Sequence, residues 1–218
     1  MSFLKIDDIE KISEFSKQDY QLIEIERKNM NNSDSFFREI MYEPFRVIGK
    51  ISKKNSSEDI KRILRDIIPL SSQTNFFYKT WVSDMSEICQ IFCDTLNSKS
   101  VSFCLATERG CSRYHIDNVP MRLLVTYMGQ GTEWLPNEIA NRAAFEEGLP
   151  NEKIVKDSSK IKSIKTFNVA IFRGGATGLL HRTPDSALKN PSILLRLDHE
   201  SFWDNILKQQ DSDLAFQV

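Results

Sequence analysis

His115 and Asp117 stand two residues apart in the segment Cys111-Ser112-Arg113-Tyr114-His115-Ile116-Asp117-Asn118-Val119-Pro120. In an extended chain, side chains at i and i+2 point to the same face, so an imidazole and a carboxylate would be aimed at one point. That pair is two-thirds of a facial metal triad. A second histidine from a distant segment would complete it and leave positions open for substrate and oxygen. Histidine is scarce here, at three residues: His115, His181 and His199. His181 follows the glycine-rich turn Gly174-Gly175, within Thr177-Gly178-Leu179-Leu180-His181-Arg182-Thr183-Pro184, and is the candidate third ligand. His199 lies between Asp198 and Glu200 and is expected at the surface. A site made of His115, Asp117 and His181 suits iron(II) that activates oxygen. The same donors also suit zinc activating water for hydrolysis, or a metal sensor without catalysis. The plainer alternative is a surface histidine beside an aspartate that caps the Asn118-Val119-Pro120 turn.

Arginines come next. Arg122 sits inside the run Met121 to Met128, where Leu123, Val125 and Tyr127 alternate with Arg122, Leu124 and Thr126. A strand there would half-bury the guanidinium, which then needs an anion from the protein or from a ligand. Arg182 and Arg196 are further candidates to hold a ligand carboxylate, and Tyr127 and Trp134 are candidates to shape the pocket. Cys89 and Cys93 share a helix face and are expected as buried thiols, since no third ligand is nearby. Cys111 is a weaker candidate, a nucleophile with His115 as its base. Gly129-Gln130-Gly131 is expected as a hairpin turn, because the residues that would make it a phosphate loop do not follow.

The elements that must position these groups fall in two halves. Residues 1–99 are expected to be mostly helical. There is a short amphipathic stretch from Ile6 to Phe15, a turn or cap at Asn31 to Ser35 before helical spacing at Phe36 to Met41, and a helix capped at Ser56-Ser57-Glu58-Asp59. The longest periodic run is Thr74 to Leu96, with Phe77, Trp81, Met85, Ile88, Phe92 and Leu96 on one face. After Asn97 the pattern changes to strands at Val101–Thr107, Met121–Met128, Thr166–Arg173 and Ile193–Asp198. A short helix is expected at Asn137 to Glu147, and a solvated loop at Lys153 to Lys165. Helices first and strands second argue for an α+β fold, with residues 100–218 as a barrel-like metal-binding region and the helices packed outside it.

The chain has 218 residues, is 40% hydrophobic and 27% charged, and carries a net charge of −1. That balance fits one globular domain and gives no reason to expect nucleic acid as a partner. No apolar run approaches the ~20 residues that span a bilayer, and the first residues lack an apolar signal core. With four cysteines and no CxxC pair, the expected setting is cytoplasmic, without a membrane partner.

Longer strings carry a resemblance. Tyr114 to Pro120, Arg122-Leu123-Leu124, Thr126-Tyr127, Gly129 to Pro136, Leu180 to Pro184 and Leu194 to Asp198 resemble a bacterial family catalogued as domain of unknown function 1826. The resemblance covers most of the chain and is strongest from Cys104 to Asp198. The HxD pair and distal histidine are also similar to those of iron(II) oxygenases that use 2-oxoglutarate on a double-stranded β-helix. This second likeness implies a jelly-roll or cupin-like barrel, Fe(II) and 2-oxoglutarate as cofactors, and oxidation of a small molecule or peptide. It implies a carboxylate anchor on the strand after the distal histidine. Arg196 occupies that strand, with Arg182 and Arg122 as competitors.

Overall fold

A computed structural model describes residues 3–202, apart from residues 10, 13, 14, 16–18, 31 and 32. In chain order the first half gives β1 (Phe3–Ile6), β2 (Leu22–Ile25), α1 (Asp34–Ile40), β3 (Arg46–Ser52), α2 (Ser56–Leu64), α3 (Leu70–Gln73) and α4 (Phe76–Thr95). The second half gives β4 (Ser100–Ala106), β5 (Met121–Met128), β6 (Glu133–Trp134), α5 (Arg142–Glu146), α6 (Asn151–Ile154), β7 (Lys162–Ser163), β8 (Val169–Arg173), β9 (His181–Arg182), α7 (Asp185–Lys189) and β10 (Ile193–His199).

Seven strands form one sheet in the order β1-β2-β8-β5-β10-β4-β3. Its neighbours are antiparallel except for the parallel pair β1 and β2. The alternation read in β5 decides what each face does. Leu123, Val125 and Tyr127 join Phe103, Val169, Ile171, Leu195 and Leu197 in one core with Trp81, Met85, Ile88 and Phe92 of α4. The start of α4 is fixed by Asn75, whose side-chain oxygen accepts a hydrogen bond from the Phe77 amide at 2.8 Å, satisfying one of the helix's orphan donors. The helix therefore covers one face of the sheet. On the opposite face, Leu22, Leu124, Ala170 and Phe172 pack against Trp134, Ile164 and Leu179. These last residues belong to or flank a second, three-stranded sheet, β7-β6-β9.

The α+β class holds, but the sheets do not close into a barrel among the described residues. Strands β6, β7 and β9 are two residues long, so their ladders end before reaching either edge of the large sheet. The N-terminal half is also less purely helical than its composition implies, since β1, β2 and β3 all enter the large sheet. The Ile6 to Phe15 stretch falls partly outside the described residues, as do Asn31 and Asn32 of the expected cap. The helix expected at Asn137 begins later, at Arg142, because Asn141 is the residue whose side chain caps it, accepting from the Ala144 amide. Gly129-Gln130-Gly131 is not a hairpin turn: it carries the chain from the large sheet to the small one. There Gly131 has no room for a side chain against the Ile164 carbonyl. The segment expected as a solvated loop, Lys153 to Lys165, contains β7 and buries Ile154 and Ile164. No described helix is long and apolar enough to cross a membrane.

Candidate metal centre

His115 and His181 meet through their backbones. Each amide donates to the other's carbonyl at 3.0 Å, forming an isolated antiparallel bridge beside β9. Directly opposed residues of such a pair project to the same side. That is how two residues separated by most of the second half come to lie with their rings 4.4 Å apart, centroid to centroid. Asp117, two residues after His115, falls on the same side. Its Oδ2 lies 3.4 Å from His181 Nε2 and its Oδ1 lies 3.9 Å from His115 Nε2. One ligand atom from each of the three residues fits within a 4.8 Å span.

The protonation of this cluster follows from its outer partners. His115 Nδ1 lies 3.0 Å from the Arg113 carbonyl, and His181 Nδ1 lies 2.9 Å from the Leu179 carbonyl. A carbonyl only accepts, so each Nδ1 carries a proton and donates it, which makes Nε2 the nitrogen each ring can offer to a metal. Burial pushes His181 down to about 4, against the opposing pull of Asp117, so its ring is neutral at pH 7. The 3.4 Å approach to Asp117 is therefore an approach of two acceptors, not an ion pair. Asp117 Oδ2 is buried and has no hydrogen-bond donor among the described residues. The His181 lone pair and an orphaned carboxylate oxygen facing one another repel unless a cation sits between them. Ligands ~2.1 Å from a metal and at right angles to each other lie about 3 Å apart, so the 3.4 and 3.9 Å separations here are somewhat wider than those of a loaded site. The residues fit a divalent first-row metal.

Asp117 Oδ1 is held by a second device. Arg122 donates from Nη1 to Asp117 Oδ1 and from Nε to Asp198 Oδ1, the latter at 2.8 Å. Arg196 Nε lies 3.1 Å from Asp198 Oδ2. Both guanidinium groups lie over the Phe202 ring. Burial raises the Asp198 carboxyl above its ordinary value, opposed first by Arg122 and then by Arg196. Asp198 was not singled out from the sequence. The signal that could have found it is its i+2 relation to Arg196: with Leu195 and Leu197 in the helix-side core, both must face the other way.

The loop bearing Asp117 is packed against glycine. The Gly175 amide donates to the Asp117 carbonyl at 3.0 Å. A Cβ on Gly174 would meet the Val119 and Asp117 carbonyl oxygens at 2.0 and 2.3 Å. Both obstacles are backbone, so the loop itself would have to move. Gly174→Ala is expected to cost about 1–3 kcal/mol, as overpacking usually does. It should also weaken metal binding by roughly 10–100-fold, the range for lost outer support of a ligand. Chemical denaturation and metal titration of the variant check both numbers, and parent-like metal affinity would show that Asp117 does not depend on this packing.

The other sequence candidates divide. Arg122 and Arg196 lie on the pocket face of the large sheet and line a cavity of about 160 Å³ with His115, His181 and Arg182. Arg182 is committed to Glu133 at 2.8 Å and Asp185 at 3.0 Å, and lies over the Tyr114 ring. Tyr127 is on the wrong face. It is buried with Phe37, Trp81 and Phe167 under the helices, donating to Asp84 Oδ2 at 2.6 Å. Trp134 is buried between the two sheets against Phe3 rather than lining the cavity. Cys89 and Cys93 are buried thiols as expected, and Cys111 is exposed at the cavity wall. His199 is exposed. Arg109, also in the cavity wall, was missed.

No curated protein matches the chain. The family described as protein of unknown function (DUF1826) matches it over residues 7–198, a span that takes in His115, Asp117, His181, Arg122, Arg196 and Asp198, and the chain belongs to that family.

Proposed function

We propose that this protein is a non-haem iron(II)-dependent oxygenase in which His115, Asp117 and His181 hold one metal ion. The observation that carries the reading is the cluster itself: one ligand atom each of His115, Asp117 and His181 within 4.8 Å, with Asp117 Oδ2 buried and without a donor among the described residues. Two histidines and one carboxylate leave half of an octahedron open, which suits an oxygen-activating iron better than a closed structural zinc site. The small sheet lying across one face of the large one supports an opened double-stranded β-helix as the scaffold. Iron(II) bound there would supply oxygen activation toward a substrate in the adjoining cavity.

The chain's own residues do the rest. The Arg113 and Leu179 carbonyls fix both imidazole tautomers so that Nε2 is free to ligate. Arg122 fixes the orientation of Asp117 through Oδ1 and leaves Oδ2 for the metal. Phe172, 4.8 Å from the His181 ring, closes the apolar side and limits water access. The reading also takes an acidic co-ligand, of which 2-oxoglutarate is the first to test. Arg122, Arg182 and Arg196 each already face a protein carboxylate, which argues against those three as its anchors.

The test is anaerobic titration of the metal-free protein with iron(II), followed by exposure to oxygen with and without 2-oxoglutarate. One equivalent of iron bound, with oxygen consumption that depends on the iron, is the expected result. One equivalent of zinc retained against iron, with hydrolytic turnover only, would replace the oxygenase by a metallohydrolase. No stoichiometric metal of either kind would remove the site.

A further inference from the structure

Five arginines line the cavity beside the triad: Arg46, Arg109, Arg122, Arg182 and Arg196. Three are spoken for by acids of the protein. The remaining two differ. Arg109 leaves β4 in the loop toward Cys111, and is gripped by two neutral acceptors: Nη1 donates to the Gln130 carbonyl at 2.8 Å and Nη2 to Thr132 Oγ1 at 2.7 Å. Its Nε–H is buried and finds no acceptor among the described residues. Burial pulls the guanidinium down to about 10, opposed by the Cys111 thiol, so it stays charged at neutral pH. No carboxylate of the described residues pairs with it. Arg46, at the start of β3, stands exposed at the cavity rim with no ion pair among the described residues. Glu108, the one acid in the lining, is exposed and bonded to neither.

A half-buried cation with a buried, unanswered Nε–H, held by neutral groups, is costly until an anion arrives, and its preset geometry lowers the entropy that an anion must lose on binding. We propose that this cavity binds a small oxyanion, the carboxylate or phosphate of a compact acid, with Arg109 as its principal anchor and Arg46 as a second charge at the rim. The inference rests on reading the cavity as the ligand chamber of the triad, but its contacts belong to different residues. The volume, about 160 Å³, limits the bound part to roughly the size of a six-membered ring. The adjoining Leu124 and Leu194 leave an apolar floor for a short carbon chain.

The experiment is calorimetric titration of the full chain with succinate and, separately, inorganic phosphate. Each titration is run metal-free and iron-loaded under anaerobic conditions, with metal content measured independently. The parent should bind at least one probe saturably, and the preferred probe identifies the oxyanion. Arg109→Gln should weaken it at least tenfold and Arg46→Gln severalfold, both with parent-like metal content, whereas Arg65→Gln, outside the cavity, should change nothing. Should Arg109→Gln misfold, Arg109→Lys keeps the charge without the fork and should still weaken binding. Metal uptake with no binding of either probe, or binding indifferent to Arg109 and Arg46, overturns this inference and leaves the triad standing. Arginine-dependent binding by a protein that takes up no metal on loading upholds it and overturns the triad.

Discussion

Replacing His181 with Ala is expected to abolish stoichiometric iron binding while leaving the protein folded. The imidazole supplies one of three ligand atoms, and the two that would remain, from His115 and Asp117, come from a single loop. The cost to the fold should be modest, within the roughly 0.5–3 kcal/mol range of ordinary substitutions. The backbone bridge of residue 181 to His115 uses no side-chain atom, and Leu179 and Leu180 on the same segment keep their burial. His199→Ala is the matched control: it removes an exposed histidine and should retain the parent's iron content. Elemental analysis after anaerobic loading, beside circular dichroism and a denaturation curve for each variant, separates lost ligation from lost structure. If His181→Ala binds iron as the parent does, the triad is wrong, whatever the cavity binds.

The convergence of His115, Asp117 and His181 could be read because half of its geometry is local. An HxD pair needs only an extended backbone to converge, and scarcity left few histidines to choose from. Strand β5 was legible to its ends, Met121 and Met128, because the run of eight strand-forming residues is bounded by Pro120 and Gly129. Strands β1 and β2 were not, since four residues carry too little period to distinguish Leu-Ile-Glu-Ile from one turn of helix. Their conformation is set by pairing with each other and with β8, far along the chain. The misplacement of Tyr127 was avoidable in principle. Arg122 and Tyr127 differ by five positions on one strand, an odd number, so they cannot face the same cavity. Arg109 had no such signal. Its loop has no periodicity, and its importance comes from Gln130 and Thr132, which reach it only after β5 has crossed the sheet and returned.

Arg122→Met should be the most destabilising of these substitutions. Arg122 bridges two carboxylates, and the side chains of Asp117 and Asp198 are each only 2% exposed. Removing one partner of a buried ion pair typically costs about 3–5 kcal/mol, because the other charge stays buried without compensation. Here two charges are left, and Asp117 disfavours the ionised form of Asp198. Arg196 still reaches Asp198 Oδ2, so the larger loss falls on Asp117, whose Oδ2 already lacks a donor. Two consequences follow that simple loss of packing would not give. Arg122→Met with Asp198→Asn should be less destabilised than the sum of the two single changes, since the second removes a charge the first has stranded. Iron(II) should also restore more stability to Arg122→Met than it adds to the parent, since the ion replaces the missing positive charge at Asp117. Urea denaturation of the four proteins, metal-free and iron-loaded, measures both couplings. An additive double mutant, together with equal stabilisation by iron in parent and variant, would mean that Arg122 serves as filler and not as the counter-charge that holds the aspartate in place.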